Sequence, residues 1–206
     1  MPRAYQLGRR QIAVDRTRAR VLEAARALLA GSHGFDAFTI DAVARKARVA
    51  RMTVYHQFES KARLLEALFD DLAHPGLVEH LRASFGRHDA LAALEAFVAA
   101  FVAFWASDRD VIRRLRALAH LDPDIERSIV ARDVRRRDGL TVLVERLAKQ
   151  YGGPSARTRS DVIDVLHVLT GFESFDALAD PSRTPAEVSM VLARTARRIV
   201  GVERSA

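Results

Sequence analysis

Apolar residues in this chain recur at spacings of three and four, and that period predicts helices from end to end. Val21, Leu22, Ala25, Leu28 and Leu29 fall on one face of a first helix over about 15–30, with Asp15 as its candidate N-cap and Gly31 to Gly34 as its stop. Thr39 is placed to cap a second helix. Asp41 puts a negative charge in its first turn, where the helix dipole favours one, and Ile40, Val43, Ala44 and Ala47 form its buried stripe. A third, short helix spans about 50–58. Its Ala50, Val54 and Phe58 stand at i, i+4 and i+8 and turn inward, which leaves Arg51, Met52, Thr53, Tyr55 and His56 facing away. Ser60 caps a fourth helix with apolar positions at Leu64, Leu65, Leu68, Phe69 and Leu72, stopped by His74-Pro75-Gly76.

Further helices are predicted near 77–85, 89–106, 109–120, 123–150, 156–179 and 185–201. Asp122-Pro123 supplies a cap and a first-turn proline, Thr184-Pro185-Ala186-Glu187 is a capping box, and Gly152-Gly153-Pro154 is a break. No sustained period-two alternation is flanked by turn residues, so no strand is expected. The fold class is all-α, with a three-helix head containing a helix-turn-helix followed by a helical body. The division is placed inside the fourth helix: residues 1–61 are a basic arm and the head, and residues 62–206 are the body.

Composition narrows the function. With 206 residues, 49% of them apolar, the chain can bury a sizeable core. It has no cysteine, which excludes disulfides, thiolate metal sites and cysteine nucleophiles. The first twenty residues are charged and lack the apolar stretch of a secretory signal. The most apolar run, Leu91 to Trp105, contains Glu95 and at 15 residues is short of the roughly 20 that span a bilayer. A soluble, cytoplasmic protein with no membrane partner is expected. The net charge of +7 sits entirely in residues 1–61, which hold 12 Lys+Arg against 5 Asp+Glu; the remainder holds 21 of each. That is the pattern of a polyanion-binding head on a neutral body, or of a solvated basic tail.

The short third helix is the natural candidate for a nucleic-acid contact, because an exposed helix bearing Arg, Tyr and His in a basic setting fits a DNA groove. Arginine can donate two hydrogen bonds to guanine O6 and N7, worth about 1–3 kcal/mol of discrimination. Hydroxyls and the N–H groups of helix starts suit phosphates. Lys61 follows the cap Ser60 at the positive end of a helix, where a cation is disfavoured unless an anion binds there; the plainer reading is a tolerated surface lysine. Arg3, Arg9, Arg10, Arg16 and Arg18 in the preceding arm either follow the DNA backbone or enter a minor groove, or add only general attraction.

Elsewhere the sequence is less pointed. Phe97, Phe101, Phe104 and Trp105 fall at i, i+4, i+7 and i+8, the spacing of a core stripe. His120 and His167 read as core or interface histidines. The pairs Asp70/His74 and Asp161/Asp164 do not extend to three or four ligands at defined spacing. There is no phosphate loop, nucleophile elbow or HExxH, so no metal, cofactor or catalytic site is expected. Arg135-Arg136-Arg137 reads as the solvated face of a long helix.

The span from Val21 to Leu65 resembles the DNA-binding head of the tetracycline-repressor (TetR) family of bacterial transcriptional regulators. The matching residues are Gly34, Phe35, Thr39, Ile40, Val43, Ala44, Ala47, Val49, Thr53, Val54, Tyr55, Phe58, Ser60, Lys61 and Leu64, in a register free of gaps. Three positions depart from the family pattern: Arg48 replaces the turn glycine, Ala50 replaces a capping Ser, and Met52 replaces a small residue. The resemblance implies a dimer that binds a palindromic double-stranded operator, most simply as a repressor released by a small apolar or amphipathic effector. It places Arg51, Met52 and His56 on base edges, and Thr39, Thr53, Gln57 and Lys61 on phosphates. Tyr55 can serve both, and Arg48 can add a phosphate contact. In the body it implies an effector pocket that Phe97, Phe101, Phe104 and Trp105 could line, with His120 and His167 as polar anchors. It also implies a two-fold interface built from Leu166, Leu169, Phe172, Phe175, Val188, Val191, Leu192 and Thr195. The alternative is a helical small-molecule-binding protein or enzyme on the same fold that has lost specific DNA binding.

Overall fold

The computed structural model describes residues 2–31, 37–73 and 76–201, with side chains described from Gln11 onward. Among these residues there are eleven helices and no strand: α1 Pro2–Ala30, α2 Ile40–Ala47, α3 Arg51–Phe58, α4 Lys61–Ala73, α5 Gly76–Phe85, α6 Ala90–Ser107, α7 Arg109–Ala119, α8 Pro123–Tyr151, α9 Arg159–Leu169, α10 Phe172–Leu178 and α11 Pro185–Val200. The expected stops at Gly34 and at His74-Pro75, the family matches Gly34 and Phe35, the Asp70/His74 pair, and the side chains of Arg3, Arg9 and Arg10 lie outside the described residues.

Two compact units form. The first takes residues 1–71 and 110–128; the second takes 72–109 and 129–206. In the first unit, Val21, Ala25 and Leu29 of α1, Val43 and Ala44 of α2, Val54 and Phe58 of α3, and Leu64, Leu65 and Leu68 of α4 are buried, so the helical stripes read from the sequence form its core. From α7, Arg114 donates to the carbonyl of Leu29 and satisfies one of the unpaired carbonyls in the last turn of α1.

Two boundaries differ from expectation. The first helix begins at Pro2, not near Asp15, so the basic arm continues α1 as helix instead of standing apart from it. Asp15 is an interior position whose carboxylate accepts from Gln11 Nε2 at 2.9 Å, one turn back. The single helix expected over 156–179 is two. Thr170 turns its hydroxyl back onto the carbonyl of Leu166 at 2.8 Å, and Gly171 is extended at φ −72°, ψ 161°. The carbonyl of Thr170, taken out of the helical ladder, accepts from Trp105 Nε1 at 3.0 Å.

The second unit is organised around α6. This 18-residue helix is long and apolar enough to cross a membrane by length and composition alone, but 61% of it is buried inside the protein, as a core helix requires. Gly139 in α8 lets aromatic rings approach: a Cβ there would meet Phe97 at 3.0 Å and Phe85 at 3.3 Å. Arg136 departs from the solvated face expected of the Arg135–Arg137 run. It is 6% exposed, pairs with Asp133 at 3.0 Å and donates to Thr170 Oγ1 at 2.9 Å and to the carbonyl of His167.

Candidate nucleic-acid interface

The helix-turn-helix is α2, the turn at Arg48–Ala50, and α3. Thr39 is extended and its Oγ1 accepts from the N–H of Ala42 at 3.1 Å, closing the start of α2. Arg48 does what the absent glycine would have done. It adopts the left-handed region at φ 53°, ψ 49°. Its N–H donates to Arg45 O at 3.1 Å and the next N–H, of Val49, donates to Ala44 O at 3.0 Å. Those two bonds are a Schellman pattern, which repays the steric cost that a side chain meets at positive φ. The turn is therefore intact without glycine, and the Arg48 side chain is left exposed beside it.

Ala50 has the extended backbone of an N-cap, φ −67° and ψ 147°, and no side-chain cap bond. Ala50→Ser is therefore expected to raise the stability of the head by about 1 kcal/mol, since the missing acceptor would be added at a position already in cap geometry. Chemical denaturation followed by hydrogen exchange at the α3 amides would measure it, and an unchanged midpoint would mean that the α3 N–H groups are satisfied without a cap.

Buried Val54 and Phe58 fix which way α3 faces. Arg51, Met52 and His56 are exposed, and Thr53, Tyr55 and Gln57 are half-buried, so no predicted base-reading or phosphate residue of α3 is enclosed in the core. Met52, at 59% exposed, is an apolar group presented to solvent, as a contact to a thymine methyl would need. The Arg51 guanidinium is not loose. It pairs with Asp41 of α2 at 3.2 Å, donates to Tyr55 Oη at 3.3 Å and lies 5.4 Å from the centre of the Tyr55 ring. The Tyr55 hydroxyl and then the Asp41 charge hold its pKa above the ordinary guanidinium value.

The far end of α3 is fastened to its neighbours. Glu59 takes φ 64°, ψ −44°, its N–H donates to Tyr55 O at 2.8 Å, and the N–H of Ser60 reaches back to Phe58 O at 2.6 Å, a γ-turn. Ser60 Oγ then accepts from the N–H of Arg63 at 3.1 Å, capping α4 as expected. Lys61 stands half-buried in the first turn of α4, with its ammonium 5.5 Å from the centre of the buried Phe38 ring. Gln57 Nε2 donates to Val14 O at 3.4 Å, Arg18 donates to Gln57 O at 3.5 Å, and the Arg18 guanidinium lies 4.5 Å over the Phe58 ring. Gln57 thus joins α3 to α1, a structural task beside the phosphate contact expected of it. Sequence reading missed the roles of Asp41 and Arg18. The only available signal for Asp41 was an exposed carboxylate one helix before an exposed arginine.

The residues proposed for the body fall into two sets. Phe97, Phe101, Phe104 and Trp105 are buried, with ring centres 4.9 Å apart for Phe97–Phe101, 5.9 Å for Phe101–Trp105 and 4.6 Å for Phe104–Trp105. They form one aromatic row. His167 is half-buried, with Nε2 at 3.1 Å from Asp133 O, and His120 is exposed. Of the residues assigned to a two-fold interface, Leu166, Phe172, Phe175, Val188 and Leu192 are buried inside the protomer itself; Leu169, Val191 and Thr195 are half-buried. Val165, Val168 and Met190 are the large apolar side chains that α9 and α11 leave exposed.

Residues 21–68 match the family model of bacterial regulatory proteins of the tetR family. No curated protein matches the chain. Solved structures match almost throughout. NalD, the secondary repressor of the MexAB-OprM multidrug efflux pump in Pseudomonas aeruginosa, is 24% identical with a TM-score of 0.68, over 94% of this chain and 98% of that one. A bacterial regulatory protein in the tetR family from Rhodococcus RHA1 is 21% identical with a TM-score of 0.71, over 91% and 98%. The tetR-family transcriptional regulator PfmR from Thermus thermophilus is 20% identical with a TM-score of 0.64, over 90% and 100%.

Proposed function

We infer, from a head whose residues 21–68 match the family model of bacterial regulatory proteins of the tetR family, that the chain is a dimeric, ligand-responsive transcriptional regulator, most simply a cytoplasmic repressor of a palindromic operator. The observation that carries this reading is the outer surface of α3, where Arg51, Met52, Tyr55 and His56 stand on a helix held by buried Val54 and Phe58. Thr39, Arg48, Thr53, Gln57 and Lys61 surround it and would set the register on phosphates. Residues 1–61 are the reading part and 62–206 the regulatory part. The compact unit that holds the head is larger, since it takes in α4 as far as Asp71 together with residues 110–128.

The second reading, a protein of this fold that lost DNA binding, drew its support from the missing turn glycine and the missing cap. Arg48 makes the turn with its full set of backbone bonds, so only the uncapped Ala50 still favours that reading.

The effector we propose is small and apolar or amphipathic, taken up near the aromatic row of α6 in the second unit. It must bind the released conformation better than the DNA-bound one, or it shifts nothing. Its effect reaches the head through α4, whose backbone runs without interruption from the reading domain into the regulatory one. A two-fold mate would cover the exposed Val165, Val168 and Met190 with the half-buried Leu169, Val191 and Thr195.

Selection of bound fragments from a random duplex pool tests the reading. The expected product is a palindrome whose half-sites lie about 34–36 Å apart, one turn of DNA. Binding should weaken steeply with salt. Arg51→Ala is expected to relax preference at one or two positions per half-site, by about 1–3 kcal/mol at the guanine it reads. Recovery of no sequence by the parent would remove the regulator reading, and an unchanged preference in the variant would remove Arg51 from the reading set.

A further inference from the structure

We propose that Asp41 is a positioning residue for base recognition: its carboxylate, with the Tyr55 hydroxyl, holds the Arg51 guanidinium in one orientation before DNA arrives. This rests on the reading of α3 as the DNA-facing helix and concerns how that helix discriminates. Asp41 lies on α2 and Arg51 opens α3, so the pair bridges the two helices across the turn. The contacts are Arg51 Nη1 to Asp41 Oδ2 at 3.2 Å and Arg51 Nη2 to Tyr55 Oη at 3.3 Å.

The guanidinium is thus gripped at both terminal nitrogens, and its cation lies against the Tyr55 ring, 5.4 Å from the centre. A guanidinium has five N–H donors, so a grip using two of them leaves others for a base edge. The Asp41 and Arg51 side chains are 54% and 57% exposed, and an exposed ion pair adds little to folding. Its effect lies instead in restricting the rotamers of a long, flexible side chain. Ordering such a side chain at an interface costs conformational entropy, and an arginine already ordered avoids that cost at the base it fits. The carboxylate has a second consequence. A negative charge beside a DNA-facing arginine disfavours the nonspecific mode, in which Arg51 would swing to the nearest phosphate. Both effects act in the same direction: they widen the gap between the right base and every other site while leaving overall affinity modest.

Asp41→Ala in the full chain separates this from a structural role. The test compares affinities for the selected operator, for operators changed one base at a time, and for random duplex. The expected result is a roughly 10-fold fall in discrimination at the position Arg51 reads, within the range of one bidentate contact. Other positions should keep their preferences, and random-duplex binding should be equal to or tighter than the parent's. Asp41→Glu, which keeps the carboxylate, should recover most of the lost discrimination. A uniform loss across all positions would mean that Asp41 acts only on the fold of the head, and would overturn the proposal. So would an unchanged preference. A tighter operator complex with preferences intact would also overturn it, showing Asp41 to be a clasp that DNA must open. If the parent itself selects no operator, what fails is the regulator reading, a result distinct from these.

Discussion

Phe58→Ala is expected to unfold the reading head and abolish operator binding while the second compact unit stays folded. Phe58 is 4% exposed at the last turn of α3, packed in the core of the first unit with the Arg18 guanidinium over its ring. Truncating a buried phenylalanine costs about 3–5 kcal/mol, the sum of lost transfer free energy and the cavity left behind. Whole domains are stable by only about 5–15 kcal/mol, and α3 is one short helix in the smaller of two units. The loss should fall hardest where the ring also anchors other groups. Without it, Arg18 loses its aromatic platform, and the γ-turn at Glu59 loses the packing that holds a non-glycine residue at φ 64°. Hydrogen exchange would read the outcome by region: amides of α2 and α3 exchanging near the unfolded rate, amides of α6 still protected. Met52→Ala on the same helix is the control. Its side chain is 59% exposed, so its stability should change by no more than about 0.5 kcal/mol. Head amides in Phe58→Ala that stay as protected as in the parent would show that α1 and α4 hold the head without this ring.

How far the sequence speaks can be followed residue by residue along the same helix. Val54 and Phe58 are legible because a period of 3.6 fixes which side chains a helix can bury, and Thr39, Ser60 and the Thr184–Glu187 box because caps are local chemistry. Three features were not legible, each for a different reason. The helix over 2–14 carries no apolar stripe, so its pattern looked like an arm and Asp15 looked like a cap. The break at Thr170–Gly171 interrupts an apolar pattern that continues across it, and only the demand of Trp105 for an acceptor marks the place. The last helices show a more general gap: periodicity says which face is buried and is silent about what buries it. Leu166, Phe172, Phe175, Val188 and Leu192 are covered by their own chain. Side-chain pairing across elements is the hardest class, and Asp41 with Arg51 belongs to it, since nothing local to either residue announces the other.

Arg136 belongs to the same class, and its removal is expected to cost the second unit about 3 kcal/mol. The guanidinium is enclosed, with its side chain 5% exposed, and it satisfies Asp133 at 3.0 Å, Thr170 Oγ1 at 2.9 Å and the carbonyl of His167. Arg136→Ala removes this shared donor from all three acceptors at once. Breaking a buried pair from one side costs roughly 3–5 kcal/mol, and the lower end applies because Asp133 keeps 23% exposure. A pH signature accompanies the loss. Burial first, and the Arg136 charge second, hold the His167 pKa below its ordinary 6.5. The Asp133 carbonyl can only accept, so Nε2 of the neutral imidazole carries the proton in their 3.1 Å bond. With the folded-state value depressed, the unfolded chain takes up a proton near pH 6.5 and the folded chain does so only lower down. Stability from this group is therefore full above about pH 7 and declines as pH falls through the ordinary imidazole range and below it. In Arg136→Ala one of the lowering causes is gone, so the decline below about pH 7 should be shallower than in the parent even though the midpoint is lower throughout. Urea midpoints of the second unit at several pH values would show both effects. A variant within about 1 kcal/mol of the parent, or one with the same pH slope, would mean that solvent reaches the Arg136 site in solution and that its partners do not depend on the arginine.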